Sequence, residues 1–283
     1  MILGNHIDDI VELKTEIICK DYIPLHKSNY NILAGDGGVG KSAIALKEIA
    51  HFLRANPEEK CVAFFTEDSK KQILERLDTI TSQMSGITTE EIKERTFFNT
   101  LDDNKGQPFA IKQDRNNYIN YDYFNQFIVN AKFHKVGLII LDPLEFFHSN
   151  LNENDAEDMK FLVTDGFQKL ATETESAILV LHHTNKGDKG GARGSGVITN
   201  KGRVAYNVRK VMEEDKEMGI QKIKKGWEHS VLLTTIKDNH YIARYCDAIQ
   251  NHYGKLDLPI VMDTTVEVTE FTADEIEFVG GVL

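Results

Sequence analysis

"AGDGGVGKSAIAL", Ala34 to Leu46, sets four glycines (Gly35, Gly37, Gly38 and Gly40) and a Lys-Ser pair between an apolar stretch and a helical one. An ordered glycine costs more chain entropy than any other residue, so a cluster of them marks a backbone that side chains would obstruct. The run fits G-x-x-x-x-G-K-[ST] through Gly35, Gly40, Lys41 and Ser42. Upstream, "NYNILAG" (29–35) reads as a buried strand. Downstream, "SAIALKEIAHFLRA" (42–55) has apolar residues at helical spacing and stops before Asn56-Pro57. Strand, glycine loop and helix form the context in which this motif cradles phosphate. The backbone N–H groups of Gly35, Gly37, Gly38, Val39, Gly40, Lys41, Ser42 and Ala43 are expected to converge on phosphate oxygens, with the helix N-terminus adding positive potential. Lys41 then reaches the β- and γ-phosphates and the Ser42 hydroxyl ligates Mg²⁺, so ATP and Mg²⁺ are the expected cofactors.

Outward from this stretch, short apolar runs alternate with helical patterns. "KCVAFFTED" (60–68) is a second apolar run ending in acids, and "SKKQILERLDTITSQM" (69–84) is a helix with Ser69 as its N-cap. "YDYFNQFIVNAKFH" (121–134) is helical, and "VGLIILDP" (136–143) is a continuous apolar run ending in an aspartate. A loop and helix cover 149–174, "SAILVLHHT" (176–184) is a further strand, and a helix is expected around 197–213. The polar, turn-rich segment 99–120 reads as a loop. The end is β-rich, over 230–239, 240–246 and 258–271. The pattern predicts an α/β fold with a mostly parallel central sheet, helices on both faces and antiparallel C-terminal strands. A single domain is expected over 1–283, with a lead-in at 1–28 and a β extension at 255–283.

The chain has 283 residues, 41% hydrophobic and 27% charged, ordinary for a globular protein with a sizeable core. Its net charge of −11 argues against a broad duplex-coating face, so any nucleic-acid contact should be local. Cys19, Cys61 and Cys246 are far apart and suggest no disulfide framework. The first residues do not read as a signal peptide, and no stretch approaches a membrane span. A cytoplasmic protein without membrane contact is expected.

Several residues are placed for chemistry. Asp142 ends an apolar strand, where an acid would hold Mg²⁺ directly or through water, or simply cap the next element. Glu67 ends the strand after the first helix, and ligands of open parallel sheets gather at strand carboxyl ends. It could orient and deprotonate a water; Asp68 competes for that role. Of His182 and His183, one faces each side of the strand, as a γ-phosphate contact or as a satisfied core histidine. The basic, glycine-rich stretch 185–196 carries Lys186, Lys189 and Arg193 against Asp188, which suits a phosphodiester backbone. In 99–120, Lys105, Lys112 and Arg115 with Phe109 and Tyr118 form a mixture able to pair with and stack on single strands, against the acids 102, 103 and 114.

"GDGGVGKS", "FFTEDS", "LIILDP", "LVLHHTNKG", "ARGSGVITNKGRVAYNV" and "TIKDNHY" together resemble the RecA-like ATPases, and more narrowly the plasmid RepA-type hexameric replicative DNA helicases. The resemblance covers about residues 28–240. It implies Glu67 as catalytic glutamate, Asp142 as magnesium aspartate and His183 as γ-phosphate sensor. It implies Arg203 as the arginine supplied to a neighbouring subunit's ATP, with Arg193 and Arg209 as other candidates, and Lys237 as a basic residue near the same phosphates. The implied protein is a hexameric ring translocating on single-stranded DNA, with a replication initiator or primase as possible partner. Two other roles suit the same residues: a single-strand-binding recombination ATPase, and a nucleotide-switched protein-interaction module.

Overall fold

The computed structural model describes residues 16–103, 107–183, 196–210, 230–238, 260–263 and 268–269. A short hairpin, β1 (Ile17–Ile18) and β2 (Leu25–His26), precedes β3 (Tyr30–Gly35), α1 (Lys41–Ala55), β4 (Lys60–Phe65), α2 (Lys70–Ser82), α3 (Thr89–Arg95) and β5 (Thr96–Thr100). A second hairpin, β6 (Ala110–Gln113) and β7 (Asn116–Ile119), leads to α4 (Tyr121–Phe133) and β8 (Val136–Asp142). A 3₁₀ turn (Leu144–Phe147) runs into β9 (His148–Ser149). A long helix follows as α5 (Ala156–Phe161), a π-helical stretch (Leu162–Gln168) and α6 (Lys169–Thr174). Then come β10 (Ala177–His183), α7 (Val197–Lys201), β11 (Val204–Lys210), β12 (Ser230–Asp238), β13 (Ile260–Asp263) and β14 (Val268–Thr269).

The main sheet has the order β14-β13-β12-β11-β3-β10-β8-β4-β5. From β11 to β5 the neighbours are all parallel; β12, β13 and β14 continue the sheet antiparallel. The chain leaves β3 for β4, three positions along with β10 and β8 between, while β11 lies on the other side of β3. The crevice at the carboxyl end of β3 is therefore the place where an open α/β sheet receives ligands.

The strands β3, β8 and β10 are buried along nearly their whole length, which is why they read as unbroken apolar runs. Strand alternation sorts their side chains. Leu33, Leu138, Ile140, Leu179 and Leu181 pack with α1 residues such as Ile44 and Ile49 in one cluster. Ile32, Ala34, Ile139, Leu141, Ile178 and Val180 pack with Phe124 of α4 and Phe167 and Leu170 of the long helix in the other. Ser69 caps α2, as the sequence led one to expect, and does so in a reciprocal box with Gln72.

Two expectations fail. The segment 99–120 is not a loop: it holds the end of β5 and the β6–β7 hairpin. Phe109 is fully buried among Phe124, Phe127 and Phe147, with ring centroids 5.3–5.7 Å away. Lys112 donates to both carboxylate oxygens of Asp158 at 2.8 Å. Neither is free to hold a nucleic acid, although Tyr118 is exposed; Lys105 lies outside the described residues. The expected helix 197–213 stops at Lys201, and 204–210 is a strand. Val204, Ala205 and Val208 are buried there because β3 and β12 flank the strand on either side, a tertiary slot that overrides local preference. Residues 240–246 lie outside the described residues.

Candidate nucleotide site

Gly35 ends β3 and Gly40 caps α1, so the glycine stretch bridges the carboxyl end of a central strand and a helix N-terminus. Gly38 (φ 74°) and Gly40 (φ 92°) are left-handed, a conformation that L side chains rarely adopt. Gly35 is required for another reason: a Cβ there would stand 2.3 Å from the carbonyl oxygen of Val208 in β11. A Cβ on Gly37 would meet nothing within 4 Å, so the loop is open on that side. No side chain caps α1, and its first turn carries no acid. Its leading N–H groups are left for an anion.

Lys41, only 5% exposed, curls over this loop and donates to the carbonyl oxygens of Gly35 (2.8 Å) and Asp36 (2.9 Å). Its Nζ is also 3.3 Å from His183 Nδ1. An ammonium only donates, so a hydrogen bond between the two takes Nδ1 as its acceptor. Burial lowers the Lys41 pKa, opposed by the negative charge of Asp142, Glu145, Asp36 and Glu67. Ser42 donates its hydroxyl to Asp142 Oδ2 at 2.6 Å. Burial pushes Asp142 up to about 7, against the Ser42 bond and the Lys41 charge, with Asp68 and Glu67 raising it further. A hydroxyl and a buried carboxylate side by side form a hard-oxygen donor pair, which suits Mg²⁺. The uncapped helix, the lysine and this pair together fit a Mg-nucleotide.

Glu67 lies in the turn after β4 and is exposed. The turn is fastened by Thr66, whose N–H and hydroxyl both donate to the Asp142 carbonyl, at 3.1 and 3.2 Å. Asp68 is engaged by Arg76 at 2.6 Å, which leaves Glu67 as the acid presented to solvent beside the site. The structure thus brings two hydrogen-bonded pairs together, Lys41 with His183 and Ser42 with Asp142, linked by the charges of Lys41 and Asp142, with Glu67 nearby. Sequence reasoning missed Thr66, a neighbour of Glu67 whose clamp depends on the register Phe65↔Asp142. It also missed the Val208 carbonyl behind Gly35, for which no sequence signal exists.

Arg203 and Lys237 lie elsewhere. The Arg203 N–H donates to the Tyr30 carbonyl, and its Nε donates to Asn29 Oδ1 at 3.0 Å, at the amino end of β3. Lys237 is paired across from Ala205 and donates to the carbonyls of Asn200 and Gly202. Arg203 is level with Tyr30, five residues or about 16 Å along β3 from Gly35 at roughly 3.3 Å per residue, whereas Lys237 is level with Ile32, three residues from Gly35. Burial lowers the Lys237 pKa, helped by the charges of Arg203 and Lys201. Lys186, Lys189 and Arg193 lie outside the described residues.

A family model described as an AAA domain matches residues 14–189. The chain belongs to the AAA domain family. The matched span begins just before β1 and runs through the glycine loop, Glu67, Asp142 and His183. It carries a phosphate-loop ATPase domain. No curated protein matches the chain. Among the described residues, no helix is long and apolar enough to cross a membrane.

Proposed function

We propose that this AAA-family chain is a RecA-like, Mg-dependent ATPase that works as a homohexameric ring, and that its role is that of a replicative helicase moving on single-stranded DNA. The observation that carries the shared-site part is the position of Arg203 and Lys237. Arg203 stands at the amino end of β3, away from its own glycine loop, and Lys237 reaches toward the same end through the carbonyls of Asn200 and Gly202, positions that suit cations serving a neighbouring copy's nucleotide.

Lys41 exchanges its bonds to Gly35 and Asp36 for phosphate oxygens. Ser42 and Asp142 would hold Mg²⁺, which supplies neutralisation of charge between the β- and γ-phosphates when bound. Glu67 orients the attacking water and accepts its proton. His183 touches Lys41, so a move of the lysine toward phosphate alters the hydrogen bond at the end of β10. The segment that follows β10, with Lys186, Lys189 and Arg193, takes the DNA contacts and is tied to the nucleotide through that histidine. Arg203 and Lys237 stabilise the transition state in the neighbour.

Steady-state ATP hydrolysis with and without single-stranded DNA, on wild type and Arg203→Ala, tests this. The expectation is stimulation by DNA and a loss of about a thousandfold in the variant. Turnover indifferent to both DNA and Arg203 would overturn the motor and point to a nucleotide-switched interaction module.

A further inference from the structure

On the face of the sheet away from α1, a second group of side chains sits at the same carboxyl edge. His182 points to the side opposite His183, because neighbours on a strand alternate. Around it stand Glu145 of the 3₁₀ turn, Glu153 of the turn before α5, and His148 of β9. One donor atom each from Glu145, Glu153 and His182 lies within 4.8 Å of the other two. His148 Nε2 is 3.5 Å from Glu153 Oε1, too long for a good hydrogen bond. The side chain of His148 is only 9% exposed. Among the described residues, both of its ring nitrogens and Glu145 Oε2 are buried with no hydrogen-bond partner.

Polar atoms buried without partners cost a fold free energy unless a ligand satisfies them. Two carboxylates drawn together also repel unless a cation lies between them. We propose that Glu145, Glu153, His182 and His148 form a binding site for a transition-metal ion of the zinc type, separate from the Mg²⁺ position at Ser42 and Asp142. The donor set decides the class: imidazole nitrogen with carboxylate oxygen suits Zn²⁺, whereas Mg²⁺ and Ca²⁺ take oxygen alone. A tetrahedral ion with bonds of about 2.0–2.1 Å spaces its donors about 3.4 Å apart, so closing from the present 4.8 Å limit asks the donors to draw in by up to about 1.4 Å. Such an ion pins three pieces of chain together: the turn that follows Asp142, the turn before α5, and β10 one residue ahead of His183. It fixes the backbone on which the nucleotide-site histidine stands.

Untagged protein, kept saturated with Mg²⁺ and ADP so that the Ser42 site is filled, is titrated with Zn²⁺ by calorimetry and with Co²⁺ by visible absorption. One Zn²⁺ per chain is expected, with Co²⁺ giving the intense bands of a four-coordinate site. Glu153→Gln and His148→Asn should each weaken Zn²⁺ by tenfold or more, since even outer-shell partners are worth about 10–100-fold. These positions are chosen over the fully buried His182 so that the fold survives, which unchanged ADP affinity and circular dichroism verify. Absence of saturable Zn²⁺ binding to wild type, or the same affinity in both variants, overturns the proposal.

Discussion

Asp142→Asn separates what the site does for chemistry from what it costs the fold. The carboxyl is 8% exposed and is raised from 3.8 to about 7. A raised carboxyl penalises its charged form. The penalty is absent below the unfolded value near 3.8, grows as pH rises, and is complete above about 7. At roughly 1.4 kcal/mol per pH unit, ionised Asp142 costs the metal-free protein about 4 kcal/mol. Asparagine removes that cost but weakens the bond accepted from Ser42, a loss of about 1 kcal/mol. In EDTA without nucleotide, the variant should therefore be about 3 kcal/mol more stable than wild type near pH 8. Near pH 5 the gain should be less than about 1 kcal/mol. Urea melts at the two pH values measure this, and hydrolysis in Mg²⁺ should fall by about a hundredfold or more in the same variant. A variant less stable than wild type at both pH values would refute the burial argument. Undiminished Mg-dependent turnover would refute the metal role.

Asp158 is the opposite case. Burial works against its ionisation, yet the Asn152 N–H, Lys112 and Asn117 outweigh this and hold it below the usual range. Asp158→Ala should cost about 2–3 kcal/mol in a denaturant melt at neutral pH, Lys112 being partly exposed. The difference should vanish as pH falls through the folded-state value below 4, because a depressed carboxyl contributes only above it. Gly35→Ala forces a methyl against the Val208 carbonyl, so β3 and β11 must part. A loss of about 2–3 kcal/mol together with weaker ADP binding is expected, and an unchanged melting temperature would contradict the contact. Ser69→Ala removes the side-chain half of the α2 capping box, the bond accepted from the Gln72 N–H, and should lower stability by about 1 kcal/mol in the same melt.

The nucleotide half of the site was legible in the sequence because its requirements are local. Gly38 and Gly40 must take positive φ, Lys41 and Ser42 follow within one turn, and the flanking apolar runs announce strand and helix. The acid at the end of "LIILD" stood out for the same reason, as the one charged residue closing a continuous apolar strand. The segment 99–120 misled because its residues are satisfied at long range: Lys112 by Asp158, 46 positions on, and Phe109 by an aromatic cluster drawn from α4 and the 3₁₀ turn. The strand β11 misled because "VAYNV" carries no decisive period, and only the neighbouring β3 and β12 make it extended.

The sequence by itself determined that a phosphate loop joins a buried strand to a helix, because backbone conformation and helix-end polarity act within a few residues. Which acid stands free beside that loop was decided only by the folded chain, where Arg76 takes Asp68 and leaves Glu67. So were the hydrogen bond between Lys41 and His183, and the remoteness of Arg203 from its own loop. Each depends on strand order and register, which arise from the way the sheet closes around its core and leave no trace in any short stretch of residues.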